Sequence, residues 1–167
     1  QVTIALALVG LALATLLGAL GAAGKIGGGP IARGVVFFYT TIVRGIPDLV
    51  LILLIYFGGQ RIVNAIAGAL DIGYVDVSKF WSGALAIGFI YGAYLTETFR
   101  GAYMTIPRGQ IEAARALGLK RSAILWKVTL PQLVRFAISG YANVWQVLIK
   151  STAVVSVLSL QALLGLA

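Results

Sequence analysis

The chain has 167 residues, 60% of them hydrophobic and 11% charged, with a mean hydropathy of +0.98 and a formal net charge of +8. A soluble domain of this length needs a larger polar fraction to cover its surface, so embedding in a lipid bilayer is the direct reading. The absence of His and Cys excludes imidazole bases, thiol nucleophiles, disulfides, and zinc or haem sites built on those ligands.

Val2–Ala23 carries no charge in 22 residues. At about 1.5 Å per residue it reaches roughly 33 Å, enough to cross the hydrocarbon core. Gly10, Gly18 and Gly21, among many alanines, suit close helix packing. The run lacks a basic segment ahead of it and does not read as a cleavable signal peptide. Lys25–Pro30 (Lys-Ile-Gly-Gly-Gly-Pro) predicts a helix break.

Ile31–Phe57 admits two frames. One spans Val35–Phe57 and buries Arg44 and Asp48, each at a cost of at least about 2.5 kcal/mol at the bilayer centre. The other lays Ile31–Val43 along the interface, breaks at Gly45/Pro47 and spans Pro47–Gly68. Pro47 has no N–H to bond back to Val43, which favours the second frame. Asp71–Lys79 predicts a short external loop, and Phe80–Thr96 a third span ending in Glu97 and Arg100. Tyr103–Arg135 is a basic loop, and Phe136–Leu160 a fourth apolar segment. The expected fold class is all-α integral membrane, a single transmembrane domain over residues 1–167. The chain begins and ends inside apolar runs and is expected to be a piece of a longer subunit.

The Lys/Arg distribution predicts orientation. Arg100, Arg108, Arg115, Lys120, Arg121, Lys127 and Arg135 flank or fill one loop, and Lys25 and Arg33 flank another on the same side. Asp71, Asp76 and Lys79 fall on the opposite side. The positive-inside rule places Arg100–Arg135 in the cytoplasm and the start of the chain outside. The net positive charge, set among apolar runs, therefore reads as membrane topology rather than nucleic-acid binding.

Within the basic loop, Thr105 or Ile106 is expected to cap a helix with Pro107 in its first turn. Glu112 is expected near its start, where the dipole favours it. Gly118 is expected to end this helix in a left-handed conformation. Ser122–Val128 predicts a second short helix, and Pro131 a block to simple continuation into the next span. A solvated basic loop with no further role satisfies the same residues. The alkyl-rich pair of short helices is also compatible with a helix-turn-helix, but flanking membrane segments disfavour that reading.

The loop carries a specific pattern. Glu112-Ala113-Ala114 is followed after three residues by Gly118, and after nine more by Val128, Leu130 and Pro131. This resembles the cytoplasmic EAA loop of permease subunits in ATP-driven bacterial importers, with Val128 in place of the usual Ile. Arg44-Gly-Ile-Pro47, Thr96-Glu-Thr-Phe-Arg-Gly101 and Trp145-Gln-Val-Leu-Ile-Lys-Ser-Thr152 resemble the polar amino-acid branch, closest to permeases for histidine, lysine, arginine and ornithine. The resemblance covers nearly the whole chain. It implies a type I importer permease fold, with four spans of an expected five and cytoplasmic coupling helices. It implies that Glu112, Ala113, Ala114, Gly118, Leu130 and Pro131 dock on an ATPase and transmit its motion. The implied partners are a second permease subunit, identical or paralogous, two ATPase subunits, an external substrate-binding protein and an amino-acid substrate. No phosphate loop is present, so ATP and Mg belong to the partner ATPase and no cofactor is expected in this chain.

Ser139, Asn143, Gln146 and Lys150 recur at helical spacing and so share one helix face. Such a stripe faces a partner helix or an aqueous path. Asn143, Gln146 and Lys150, with Asp48, are the candidates for a substrate path, and Lys150 could attract a substrate carboxylate. Arg44 and Asp48 are four apart and predict a helical ion pair, as do Glu97 and Arg100 three apart. Tyr91 and Tyr94 read as packing or interfacial aromatics. Two other classes stay open at this point: a channel-like structural subunit without ATP coupling, and a membrane enzyme using a Ser151–Lys150 pair.

Overall fold

The computed structural model describes residues 2–163; Gln1 and residues 164–167 of the expected domain lie outside it. The described residues are all helical apart from short connections. The helices are α1 (Val2–Gly27), α2 (Pro30–Gly45), α3 (Asp48–Ala69), α4 (Lys79–Thr105), α5 (Arg108–Ala116), α6 (Arg121–Ile124) and α7 (Leu130–Leu163), with a π-helical turn (Leu125–Thr129) joining the last two.

The organising contact is α1 against α4. Leu6, Ala7, Gly10, Ala14, Gly18, Gly21 and Ala22 form the buried face of α1, and its small residues let the backbones approach. A Cβ at Gly10 would lie 2.7 Å from Ile87 Cγ2, and one at Gly88 2.6 Å from Leu13 Cβ. Neither site has room for a side chain. Gly18 meets Leu95 and Gly92 meets Leu17, so the residue numbers rise together and the two helices run parallel. Across α4 and α7 the order reverses: Val155 meets Gly83 and Thr98 meets Gly140. Asp48 at the start of α3 reaches Tyr91 and Tyr94, while the end of α3 at Ala69 is joined to the start of α4 by the short 70–78 connection, so α3 also opposes α4. The bundle therefore alternates direction. Lys25, the start of α2 and the basic loop lie at one end, and residues 70–78 at the other.

α4 is the central helix. Ala84, Ala86, Ile87, Ile90, Tyr91, Ala93, Leu95 and Thr96 are all buried. Shielded from solvent or lipid by α1, α3 and α7, it tolerates Gly, Thr, Tyr and the Glu97–Arg100 pair. This explains why only α1 and α3, among the described residues, are long and apolar enough to pass as membrane-crossing helices by length and composition.

The break between α2 and α3 falls where Pro47 requires it. α2 ends at Gly45, and Ile46 is extended, the conformation favoured before proline. α2 packs on α1 and α4: the Tyr39 ring lies 4.9 Å from that of Phe89, and Tyr39 Oη donates to the Phe89 carbonyl. The break ahead of α2 is shorter than the sequence predicts. α1 runs through Lys25 to Gly27, because glycine at its end does not require termination. The 71–78 loop folds back on α3. Gln60 bonds Val75 O and Val77 N, and Asn64 Oδ1 accepts from Val75 N at 2.8 Å.

Candidate functional site

Three groups of residues are relevant. The first is the basic loop. Pro107, not Thr105 or Ile106, occupies the N-cap of α5, while Thr105 Oγ1 bonds back to Gly101 O inside α4. α4 runs on to Thr105 and so claims the residues expected as caps. Glu112 is the fifth residue of α5, with no acidic residue in the first turn, so the expected dipole role is not available to it. Gly118 has φ +75°. Gly118 N–H donates to Arg115 O at 2.9 Å and Leu119 N–H to Ala114 O at 3.2 Å. This pair of bonds is a Schellman termination, which needs a left-handed residue at that point.

Pro131 does not block continuation. Leu130 N–H reaches Leu125 O across the π-helical turn, and the helix passes directly into α7. The wider turn relaxes the ladder where proline supplies no N–H, and Gln132 Nε2 donates to Val128 O at 2.9 Å. The loop is thus an elbow: α5, a glycine corner, then a helix continuous with the bundle. Ala114 is buried, Glu112 and Ala113 are exposed, and Leu117 at the corner is 82% exposed. Arg108, Arg115, Lys120 and Arg121 of the same loop are also exposed.

The second group surrounds Asp48. Its carboxylate accepts Tyr94 Oη at 2.9 Å and Tyr91 Oη at 3.2 Å. Tyr91 Oη also shares a hydrogen bond with Ser151 Oγ on α7. Tyr91 and Tyr94 therefore pack as expected, Tyr91 within the hydrophobic core and Tyr94 against it, and their hydroxyls are in addition polar partners of a carboxylate. The predicted Arg44–Asp48 ion pair does not form among the described residues. The chain breaks between them, so they do not share a helix, and Arg44 instead lies 5.6 Å from the Tyr94 ring centre. Asn143, Gln146 and Lys150 do not join this cluster. With Ser139 they lie exposed on the outer face of α7, while Ala137, Val144, Leu148 and Thr152 face the core. Ser151 is engaged by Tyr91 and Lys150 is exposed, an arrangement unlike a nucleophile–base pair.

The third group was only half visible in the sequence. Glu97 pairs with Arg100 at 2.9 Å as predicted, and also with Lys25 of α1. Lys25 Nζ further donates to Thr40 Oγ1 of α2 at 2.7 Å. The pairing ties three helices together. Lys25 and Glu97 stand 72 residues apart, so no local pattern in the sequence announces it. Beside it opens a cleft of about 900 Å³, lined among others by Arg33, Phe37, Thr41, Arg44 and Tyr94.

Comparisons with known proteins agree with this architecture. Residues 4–167 match the family described as binding-protein-dependent transport system inner membrane component. The chain is 44% identical over 160 residues to the histidine/lysine/arginine/ornithine transport system permease protein HisQ of Escherichia coli K12, covering 96% of this chain and 70% of that protein. It is 40% identical to the octopine transport system permease protein OccQ of Rhizobium radiobacter, over 95% of this chain and 67% of that one. Among solved structures, "Crystal structure of an amino acid ABC transporter with histidines" superposes with a TM-score of 0.74 at 28% identity, covering 94% of this chain and 68% of that chain. The chain belongs to the family of inner-membrane permease components of binding-protein-dependent, ATP-driven transport systems.

Proposed function

We propose that this chain forms half of the translocation path of an importer for basic amino acids and couples that path to a cytoplasmic ATPase through the α5–α6 elbow. The observation that carries the coupling is the glycine corner with its exposed Leu117, in a loop that also exposes Arg108, Arg115, Lys120 and Arg121. An exposed leucine at such a bend suits a groove on a partner, and the loop's exposed arginines and lysines would steer the docking. The similarity to histidine, lysine, arginine, ornithine and octopine permeases supports the substrate class. A second permease subunit, two ATPases and an external binding protein complete the assembly. ATP and Mg stay with the ATPase. α4 and α7 cross the membrane alongside α1 and α3, their polar residues turned to one another or to a second permease. The resemblance implies a fifth span beyond these four.

Asp48 is the residue best placed to meet a cationic substrate. It opens α3, where the helix dipole favours its charge, and two tyrosine hydroxyls leave it further lone pairs to offer. Asn143, Gln146 and Lys150 form the face that meets the second permease, with Lys150 offered to the substrate carboxylate. In the complex reconstituted into sealed vesicles, Asp48→Asn should lower arginine uptake about tenfold, and Lys150→Met should lower it severalfold, with assembly intact. Unchanged uptake kinetics in either variant would remove that residue from the path.

The elbow faces the cytoplasm and the start of the chain faces outside. In intact cells, cysteine at Lys120 should be shielded from a membrane-impermeant thiol reagent, and cysteine at Asp76 should react. The reverse labelling pattern would overturn the orientation.

A further inference from the structure

We infer that the cleft between α1, α2 and α4 is a binding site for the phosphate head group of an acidic phospholipid. Its wall carries Lys25, Arg33, Arg44 and Arg100 against the single carboxylate Glu97, so it is strongly cationic. Glu97 is already shared by Lys25 and Arg100. Arg33 and Arg44 have no carboxylate partner among the described residues. Arg44 lies 5.6 Å from the Tyr94 ring centre. A cleft of this charge repels a basic amino acid, so it is not the place where a cationic side chain rests.

Depth and surroundings favour a lipid over a free ion. Lys25 is in the last turn of α1 and Arg33 in the first turn of α2, so the mouth of the cleft is at a helix-end level, where head groups lie. Arg33, Gly34, Phe37, Thr40, Thr41 and Arg44 follow each other at helical spacing along the wall that α2 provides. Ile31, Val35, Phe37 and Phe38 of α2 are exposed, which gives acyl chains an apolar surface next to the cations. Basic pockets between membrane helices suit such head groups, and each nearby cation contributes about fivefold to retention.

The test uses the intact permease–ATPase complex, exchanged into detergent with phosphatidylglycerol or phosphatidylcholine and examined by native mass spectrometry. Wild type should retain phosphatidylglycerol and not phosphatidylcholine. Arg33→Gln with Arg44→Gln should lose roughly 30-fold in retention, and the two lysine replacements should restore most of it. Assembly with the ATPase reports whether each variant is folded. Equal phosphatidylglycerol retention by wild type and the glutamine variant would overturn the site. So would equal retention of phosphatidylcholine. Displacement of phosphatidylglycerol by millimolar inorganic phosphate would identify a free-phosphate site and overturn the lipid assignment. None of these outcomes depends on which amino acid is transported.

Discussion

Glu97→Ala is expected to lower the thermal stability of the purified complex by about 2–3 kcal/mol. The Lys25 and Glu97 side chains are only 12% and 17% exposed. Removing the carboxylate leaves the Lys25 ammonium largely shielded from water with only neutral partners among the described residues, the Thr40 hydroxyl and the Phe37 ring face 5.5 Å away. An uncompensated charge in such a place costs more than the intact pair contributes. Lys25→Met alone should cost less, because Glu97 keeps Arg100. Lys25→Met combined with Glu97→Leu should recover most of the loss, since neither charge then needs a partner. Melting of the four proteins in detergent measures these differences. If Glu97→Ala melts with wild type, the three-helix tie is not a stabilising contact.

Gly118→Val is expected to leave the bundle assembled while uptake falls roughly five- to thirtyfold, the equivalent of about 1–2 kcal/mol of left-handed strain on a residue with a Cβ. A Cβ at Gly118 would have nothing within 4 Å, so crowding is not the cause. The cost is conformational: φ +75° is poorly open to a β-branched residue. Relieving it breaks the bonds to Arg115 O and Ala114 O, turns α5 away from α6, and moves Leu117 from its proposed groove. Asparagine tolerates this region, so Gly118→Asn should keep near-normal coupling. The deciding measurement is substrate-stimulated ATP hydrolysis together with uptake in reconstituted complex. Normal values of both in Gly118→Val would sink the coupling role at its most specific residue.

The sequence by itself determined what depends on neighbours along the chain. Uninterrupted apolar length placed α1. Pro47 placed the break before α3, because a missing N–H and a restricted preceding residue act locally. Gly118 announced its own positive φ, and three-residue spacing announced Glu97–Arg100. Local rules failed where a longer element absorbed the signal. α4 ran through the expected caps of α5, and a π-helical turn carried the chain past Pro131. Only the tertiary structure decided which polar groups meet. Asp48 turned from Arg44, four residues away, to Tyr91 and Tyr94, and Glu97 gained Lys25. These choices come from the parallel packing of α1 on α4 and the opposed runs of α3 and α7. Partners brought together by helix packing share no spacing in the sequence. The same reason explains the exposed stripe of Asn143, Gln146 and Lys150: spacing put them on one face, and packing decided that the face points away from the bundle.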